Sequence, residues 1–168
     1  MRVWAPVAYE GPARDLVRAL KFGGAWSAAE TMAAQIAANS PTSYPGLACR
    51  GESRTHLVPV PLHPRRERRR GYDQALLLAR ALSERTGLQV SECLARSGSS
   101  GAQVGRGRAD RLGGPPGSIH ACGPVPRGAL LVDDVVTTGG TLAACAAALS
   151  AAGAVELAAV AYARTPGR

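Results

Sequence analysis

Apolar runs alternate with amphipathic stretches along the chain, and the alternation predicts strands and helices in turn. Residues 2–9 are apolar and aromatic with Pro6 inside, the pattern of a short edge strand, and Gly11-Pro12 turns it. Over 13–21, Leu16, Val17 and Leu20 share one helical face while Arg14, Asp15 and Arg18 lie off it; Gly23-Gly24 stops that helix. Ser27 reads as the N-cap, with Glu30 as its capping-box partner, of a second helix running to about Asn39. Residues 40–54 carry Pro41, Pro45, Gly46 and Gly51 without periodicity and read as a loop. A strand follows over 56–60. Its Pro59 and the following Pro61 remove two ladder donors from the same side, so pairing should be weak or ending there. Asp73 or a neighbour caps a helix whose positions 75–82 are nearly all apolar, with Gly87 as its C-cap. Residues 88–94 read as a short strand and 95–128 as a long loop, with weak strands within 117–125. The chain closes with an apolar strand from Leu130, a helix over 141–152 stopped by Gly153, and a strand over 155–162.

Such alternation predicts an α/β fold, a central, mostly parallel sheet with helices on both faces and a ligand site at the strands' carboxyl ends. No repeat or domain boundary interrupts 1–168, which reads as a single domain. Residues 1–54 would form the first helices and a small hood, and 55–168 the core.

The most informative stretch is Leu130-Leu131-Val132-Asp133-Asp134-Val135-Val136-Thr137-Thr138-Gly139-Gly140-Thr141-Leu142. It reads as strand, turn and helix start. The first turn of a helix has backbone N–H groups without partners and the positive end of the dipole, and Gly139-Gly140 lets that backbone approach a phosphate closely. Thr137, Thr138 and Thr141 add hydroxyl donors. The adjacent carboxylates would repel a phosphate, so they make sense as acceptors for sugar hydroxyls and as partners of a divalent cation. The bland alternative is an ordinary βα turn with an Asp pair. A Walker-type loop is excluded, because no Lys follows the glycines.

Charge sharpens this picture. The formal net charge is +8, and of 20 Lys and Arg residues only Lys21 is a lysine, which points to anionic partners. Five arginines crowd into positions 65–70, after Leu62-His63-Pro64. They repel one another unless an anion or solvent screens them, so this stretch reads either as a pyrophosphate site or as a solvated basic loop. The four cysteines, Cys49, Cys93, Cys122 and Cys145, show no C-x-x-C pair, which indicates neither a zinc site nor a disulfide framework. Reduced thiols in a cytoplasmic protein are the simplest account. Neither a signal-peptide core nor an apolar run long enough to span a membrane is visible.

The stretch 130–142 closely resembles the signature of type I phosphoribosyltransferases, which bind 5-phosphoribosyl-1-pyrophosphate (PRPP). By that resemblance Asp133 and Asp134 face the ribose hydroxyls and, with Mg²⁺, the metal, while Val136, Thr137, Thr138, Gly139, Gly140 and Thr141 cradle the 5-phosphate. Val58-Pro59-Val60-Pro61-Leu62-His63-Pro64 followed by Arg69-Arg70-Gly71-Tyr72-Asp73-Gln74 resembles the ComF family of competence-associated, phosphoribosyltransferase-like proteins, as does the step Lys21-Phe22-Gly23-Gly24. The resemblance covers almost the whole chain. It implies that Leu62, His63, Pro64, Arg65, Arg66 and Arg70 meet the pyrophosphate, that Arg96 and Arg111 join the acid pair in catalysis, and that Ser100, Gln103 and Arg108 lie on a flexible loop. Departures from the family pattern are Asp73 and Gly114, each in place of Asn, Arg106 in place of an apolar residue, and the lack of a Cys-rich N-terminal zinc ribbon, which makes this either a short form or a late start.

The activity implied is displacement of pyrophosphate from C1 of the ribose by an unidentified nitrogen acceptor, with Mg²⁺ and arginines stabilising the leaving group. No general base stands out; Glu67 and His63 are near the expected loop. The rivals are a non-catalytic DNA-uptake factor that binds single-stranded DNA or DNA-uptake proteins, and a PRPP sensor. Aromatics are only 4% of the chain, which leaves few stacking platforms for single strands.

Overall fold

A computed structural model describes residues 1–23, 26–42, 44, 47, 55–97 and 118–167. Its elements run β1 (Arg2–Trp4), β2 (Val7–Ala8), α1 (Gly11–Phe22), α2 (Trp26–Asn39), β3 (Thr55–Pro59), α3 (Pro64–Arg70), α4 (Gln74–Thr86), β4 (Leu94–Arg96), β5 (Ile119–Ala121), β6 (Gly128–Val136), α5 (Gly140–Ala151) and β7 (Glu156–Arg164).

The longest apolar runs, β6 and β7, lie together in the middle of a parallel sheet of order β1-β7-β6-β3, with β2 also pairing to β7. A strand covered on both faces needs apolar residues at every position, as Leu130, Leu131 and Val132 provide. Leu130 and Val132 pack with Val17, Leu20, Met32, Ile36, Leu78 and Leu82, so α1, α2 and α4 cover one face. Leu131, Ala159 and Ala161 pack with Leu142, Cys145 and Leu149, so α5 covers the other. β4 and β5 form a separate antiparallel pair beside α5. The α/β class and the parallel, two-sided sheet expected from the alternation are therefore present.

Local differences have local causes. The 2–9 run splits into β1 and β2 around Ala5-Pro6, because Pro6 carries no N–H; both pieces pair with β7, and β1 ends the sheet's strand order. The stretch 88–94 is not a strand, since it makes one parallel bridge, Val90 to Leu57, and β4 begins only at Leu94. Leu57 N–H donates to Gln89 O and Ser91 N–H to Leu57 O, but the next donors on that side of β3 would be Pro59 and Pro61, which have none. Helix α2 starts at Trp26, placing Ser27 inside the first turn, where its carbonyl accepts from Thr31 Oγ1 instead of its side chain capping the helix. Among the described residues no helix is long and apolar enough to cross a membrane.

Candidate functional site

β6 delivers the acid pair to the carboxyl end of the sheet. Its ladder with β7 is in register throughout except that the Asp134–Tyr162 rung is missing. Asp134 N–H instead donates to Asp133 Oδ1 at 2.8 Å. Asp134 is buried and Asp133 half-buried. Burial, followed by the neighbouring Asp134 charge, pushes the Asp133 carboxyl well above the ordinary carboxylate range. Lys21 Nζ, from the last turn of α1, lies 2.8 Å from Asp134 Oδ2, which has no other partner.

Beyond the acids the chain turns into α5 through Thr137-Thr138-Gly139. Gly139 is the N-cap in the left-handed region, at φ 78°, a conformation that lets the loop curl back over its own helix start. A small hollow of about 40 Å³ lies inside this bend, lined by Asp133, Val135 and the whole of 136–142. Gly139 has no side chain with which to cap α5, and Thr138 Oγ1 accepts from Gly140 N–H at 3.5 Å; the N–H groups of a helix's first turn are those that can meet an anion.

The neighbouring strand delivers the second half. β3 pairs with β6 as far as Pro59–Val132, and Val60 N–H donates to Val132 O at 2.9 Å. The turn after Val60 therefore leaves the sheet beside Asp133. Asp73, at the start of α4, fastens this turn: Oδ2 accepts from Leu62 N–H at 3.1 Å, while Oδ1 caps the helix by accepting from Ala75 and Leu76 N–H. Burial raises the Asp73 carboxyl, and these three backbone donors oppose the rise.

The arginine stretch is not a loop. It is helix α3, with Pro64 in its first turn, His63 Nδ1 accepting from Arg65 N–H, and Gly71 at φ 80° as its C-cap. Helical geometry turns successive guanidinium groups around the axis and so relieves the repulsion that a loop reading assumed. Arg65, Arg66, Arg68 and Arg69 are exposed, and Arg70 is half-buried with its guanidinium over the Phe22 ring.

A cleft of about 250 Å³ separates this turn from β4. Pro61, Leu62, Pro64, Glu67 and Asp73 line one wall and Glu92, Leu94, Ala95 and Arg96 the other. Burial pushes the Cys145 thiol of α5 up to about 12; the Asp133 charge adds to the rise and the Arg96 charge opposes it.

Of the residues singled out in the sequence, Asp133 and Val136 to Thr141 line one hollow, and Leu62, Pro64 and Arg96 line the cleft beside β4. His63 serves as a helix cap, and Arg65, Arg66 and Arg70 belong to α3. Ser100, Gln103, Arg106, Arg108, Arg111 and Gly114 lie outside the described residues. Lys21 was not singled out as a site residue, although its being the chain's only lysine was a visible signal. Among the described residues no group of three His, Cys, Asp or Glu could hold a metal ion by itself.

No protein-family model matches the chain, and no curated protein matches it. Solved structures that resemble it include the asparagine, glutamic acid and alanine mutants from an analysis of an invariant aspartic acid in HPRTs. The first two are 17% identical with a TM-score of 0.43 and the third 16% identical with a TM-score of 0.42; they cover 87%, 87% and 88% of this chain. The chain in turn spans 65%, 66% and 67% of theirs.

Proposed function

We propose that this chain is a phosphoribosyltransferase-type protein of ComF-like sequence that binds PRPP and transfers its phosphoribosyl group to a nitrogen acceptor. The observation that supports the reading most is the meeting, at one end of one parallel sheet, of the Asp133–Asp134 pair, the glycine-threonine bend before α5 and the Leu62–Pro64 turn before α3. The bend supplies N–H and hydroxyl donors to the 5-phosphate. The acid pair accepts from the ribose hydroxyls. The turn and Arg65, Arg66 and Arg70 of α3 take the pyrophosphate, where planar guanidinium forks suit phosphate oxygens.

Mg²⁺ fits this donor set only in company. The two carboxylates offer oxygen ligands, one already faces Lys21, and a hard cation with few protein ligands completes its shell from phosphate oxygens and water. Asp133 and Asp134 are the residues that would hold it, directly or through water, and it would neutralise charge on the departing pyrophosphate. In this reading Arg96 and Arg111 approach the same phosphates, and Ser100, Gln103 and Arg108 belong to the segment that follows Arg96.

Thermal denaturation with PRPP and Mg²⁺ tests the pocket. A ligand at about a hundred times its Kd stabilises the native state by about 2.7 kcal/mol, and Asp133→Ala with Asp134→Ala should erase that gain. Turnover appears as pyrophosphate release with a nucleobase or amine. Failure across a broad acceptor panel, with binding intact, would leave a sensor and remove the transferase.

A further inference from the structure

Three successive residues at the carboxyl end of α1 each reach a different part of the proposed site. Leu20 O accepts a hydrogen bond from Tyr72 Oη, just after α3. Lys21 Nζ holds Asp134 Oδ2 at 2.8 Å. The Phe22 ring lies beneath the Arg70 guanidinium, 5.3 Å from the centroid. A cation in the last turn of a helix is favoured by the dipole alone, but that account leaves it in water. Here the Lys21 side chain is 22% exposed and its partner 5%, whereas the other ion pair among the described residues, Arg80–Glu92, is 57% exposed on both sides. Composition points the same way. Every other cationic Lys or Arg position in the chain is arginine, so a compact ammonium at this place stands against the bias of the whole sequence.

Resting on the site reading above, we propose that Lys21 is a positioning residue of the phosphosugar site. Its ammonium holds the Asp134 carboxylate, and with it the acid pair, in the orientation that receives the ribose hydroxyls. The turn that carries it also ties the pair to the arginine helix through Phe22 and Leu20. Asp134 Oδ2 has no second partner, so without Lys21 that oxygen stays buried and unpaired or draws in water.

The test compares PRPP with Mg²⁺ binding, by calorimetry, across wild type, Lys21→Met, Lys21→Arg, Asp134→Asn and the double variant Lys21→Met with Asp134→Asn. Positioning predicts a roughly 10- to 100-fold loss of affinity in Lys21→Met, the range found when a supporting partner of a ligating group is removed. It also predicts partial recovery in Lys21→Arg, and a double variant no weaker than Asp134→Asn alone, because the two residues act as one unit. The double variant leaves no unpaired buried charge, so it remains informative if Lys21→Met fails to fold. A merely structural role would lower the melting temperature of the free protein and leave the Kd of folded protein unchanged. Wild-type affinity in Lys21→Met, or losses that add in the double variant, overturns the proposal alone. No binding to wild type overturns the site reading and this proposal with it.

Discussion

Pro59 of β3 stands directly across the parallel ladder from Val132 of β6. β3 leaves the sheet just past that rung, into the Pro61–Pro64 turn, while β6 runs on through Asp133 and Asp134 beside β7 as far as Val136. A parallel pair brings equivalent ends together, so two stretches far apart in sequence emerge side by side at the carboxyl edge where such sheets hold ligands. The relation also explains a division of labour. Val60 N–H still reaches Val132 O, so the inner side of β3 stays anchored, while the prolines leave the outer side without donors and free to turn.

Asp133 carries a stability cost at neutral pH, because burial and the Asp134 charge raise it. A carboxyl whose pKa is higher in the folded than in the unfolded state stabilises the fold fully below its unfolded value. That contribution disappears as pH rises through the folded value. Asp133→Asn should therefore raise the neutral-pH melting temperature of the free protein and flatten its fall as pH rises from the ordinary carboxylate range upward, while the response to PRPP is lost. Melts from that range upward check it, and an Asn variant that melts lower than wild type at neutral pH would contradict it.

How much of this was legible beforehand depends on how local the signal is. β6 and β7 were readable as continuous apolar runs, and α4 as a stretch between Asp73 and Gly87, because each signal lies within its own element. Helix α3 has no apolar periodicity to announce it, only Pro64 and Gly71 at its two ends and arginine's good helix propensity between them. The strand expected over 88–94 failed for a relational reason, since its pairing depended on donors that Pro59 and Pro61, on another element, do not have. The Lys21–Asp134 pair joins two elements with no local pattern to announce it.

Gly139→Ala should destabilise through the backbone. A Cβ there would lie 4.0 Å from Val136 Cγ2, an ordinary contact, so sterics with neighbours are not the obstacle. At φ 78° the alanine is strained by about 1–2 kcal/mol. For a chain of this size that lowers the melting temperature by roughly 2–8 °C. Relaxation toward a negative φ would pull the bend off its hollow, so phosphate binding should fall more than stability does. An unchanged affinity for ribose 5-phosphate would show that the bend does not need this conformation.

Asp73 serves two elements, and two variants separate its roles. Asp73→Ala removes the α4 cap and the acceptor for Leu62 N–H, a loss of about 1–2 kcal/mol from the cap alone. Asp73→Asn keeps an oxygen for Ala75 and Leu76 but presents an NH₂ group where Oδ2 accepted from Leu62. The Asn variant should keep most of the stability and show faster amide exchange at Leu62. Equal exchange in wild type and Asn variant would mean that the turn is held by something other than Asp73.

The arginines of α3 should not be equivalent. Arg65 and Arg66 occupy its first turn, next to the Leu62–Pro64 turn, while Arg68 and Arg69 lie in its last turn, exposed to water. A charge-assisted hydrogen bond to phosphate is worth about 1.5–3 kcal/mol, so replacing Arg65 and Arg66 by alanine should weaken PRPP binding at least about tenfold for each bond lost. Replacing Arg68 and Arg69 should change it by no more than about 0.5 kcal/mol. Arg70→Ala should fall between, since it removes a cation held over Phe22 as well as a charge. Calorimetry with PRPP and with inorganic pyrophosphate at fixed ionic strength distinguishes the cases. If both arginine pairs matter equally, and single-stranded DNA binds with a steep salt dependence that either pair relieves, the helix acts as a diffuse basic surface and the pyrophosphate role is lost.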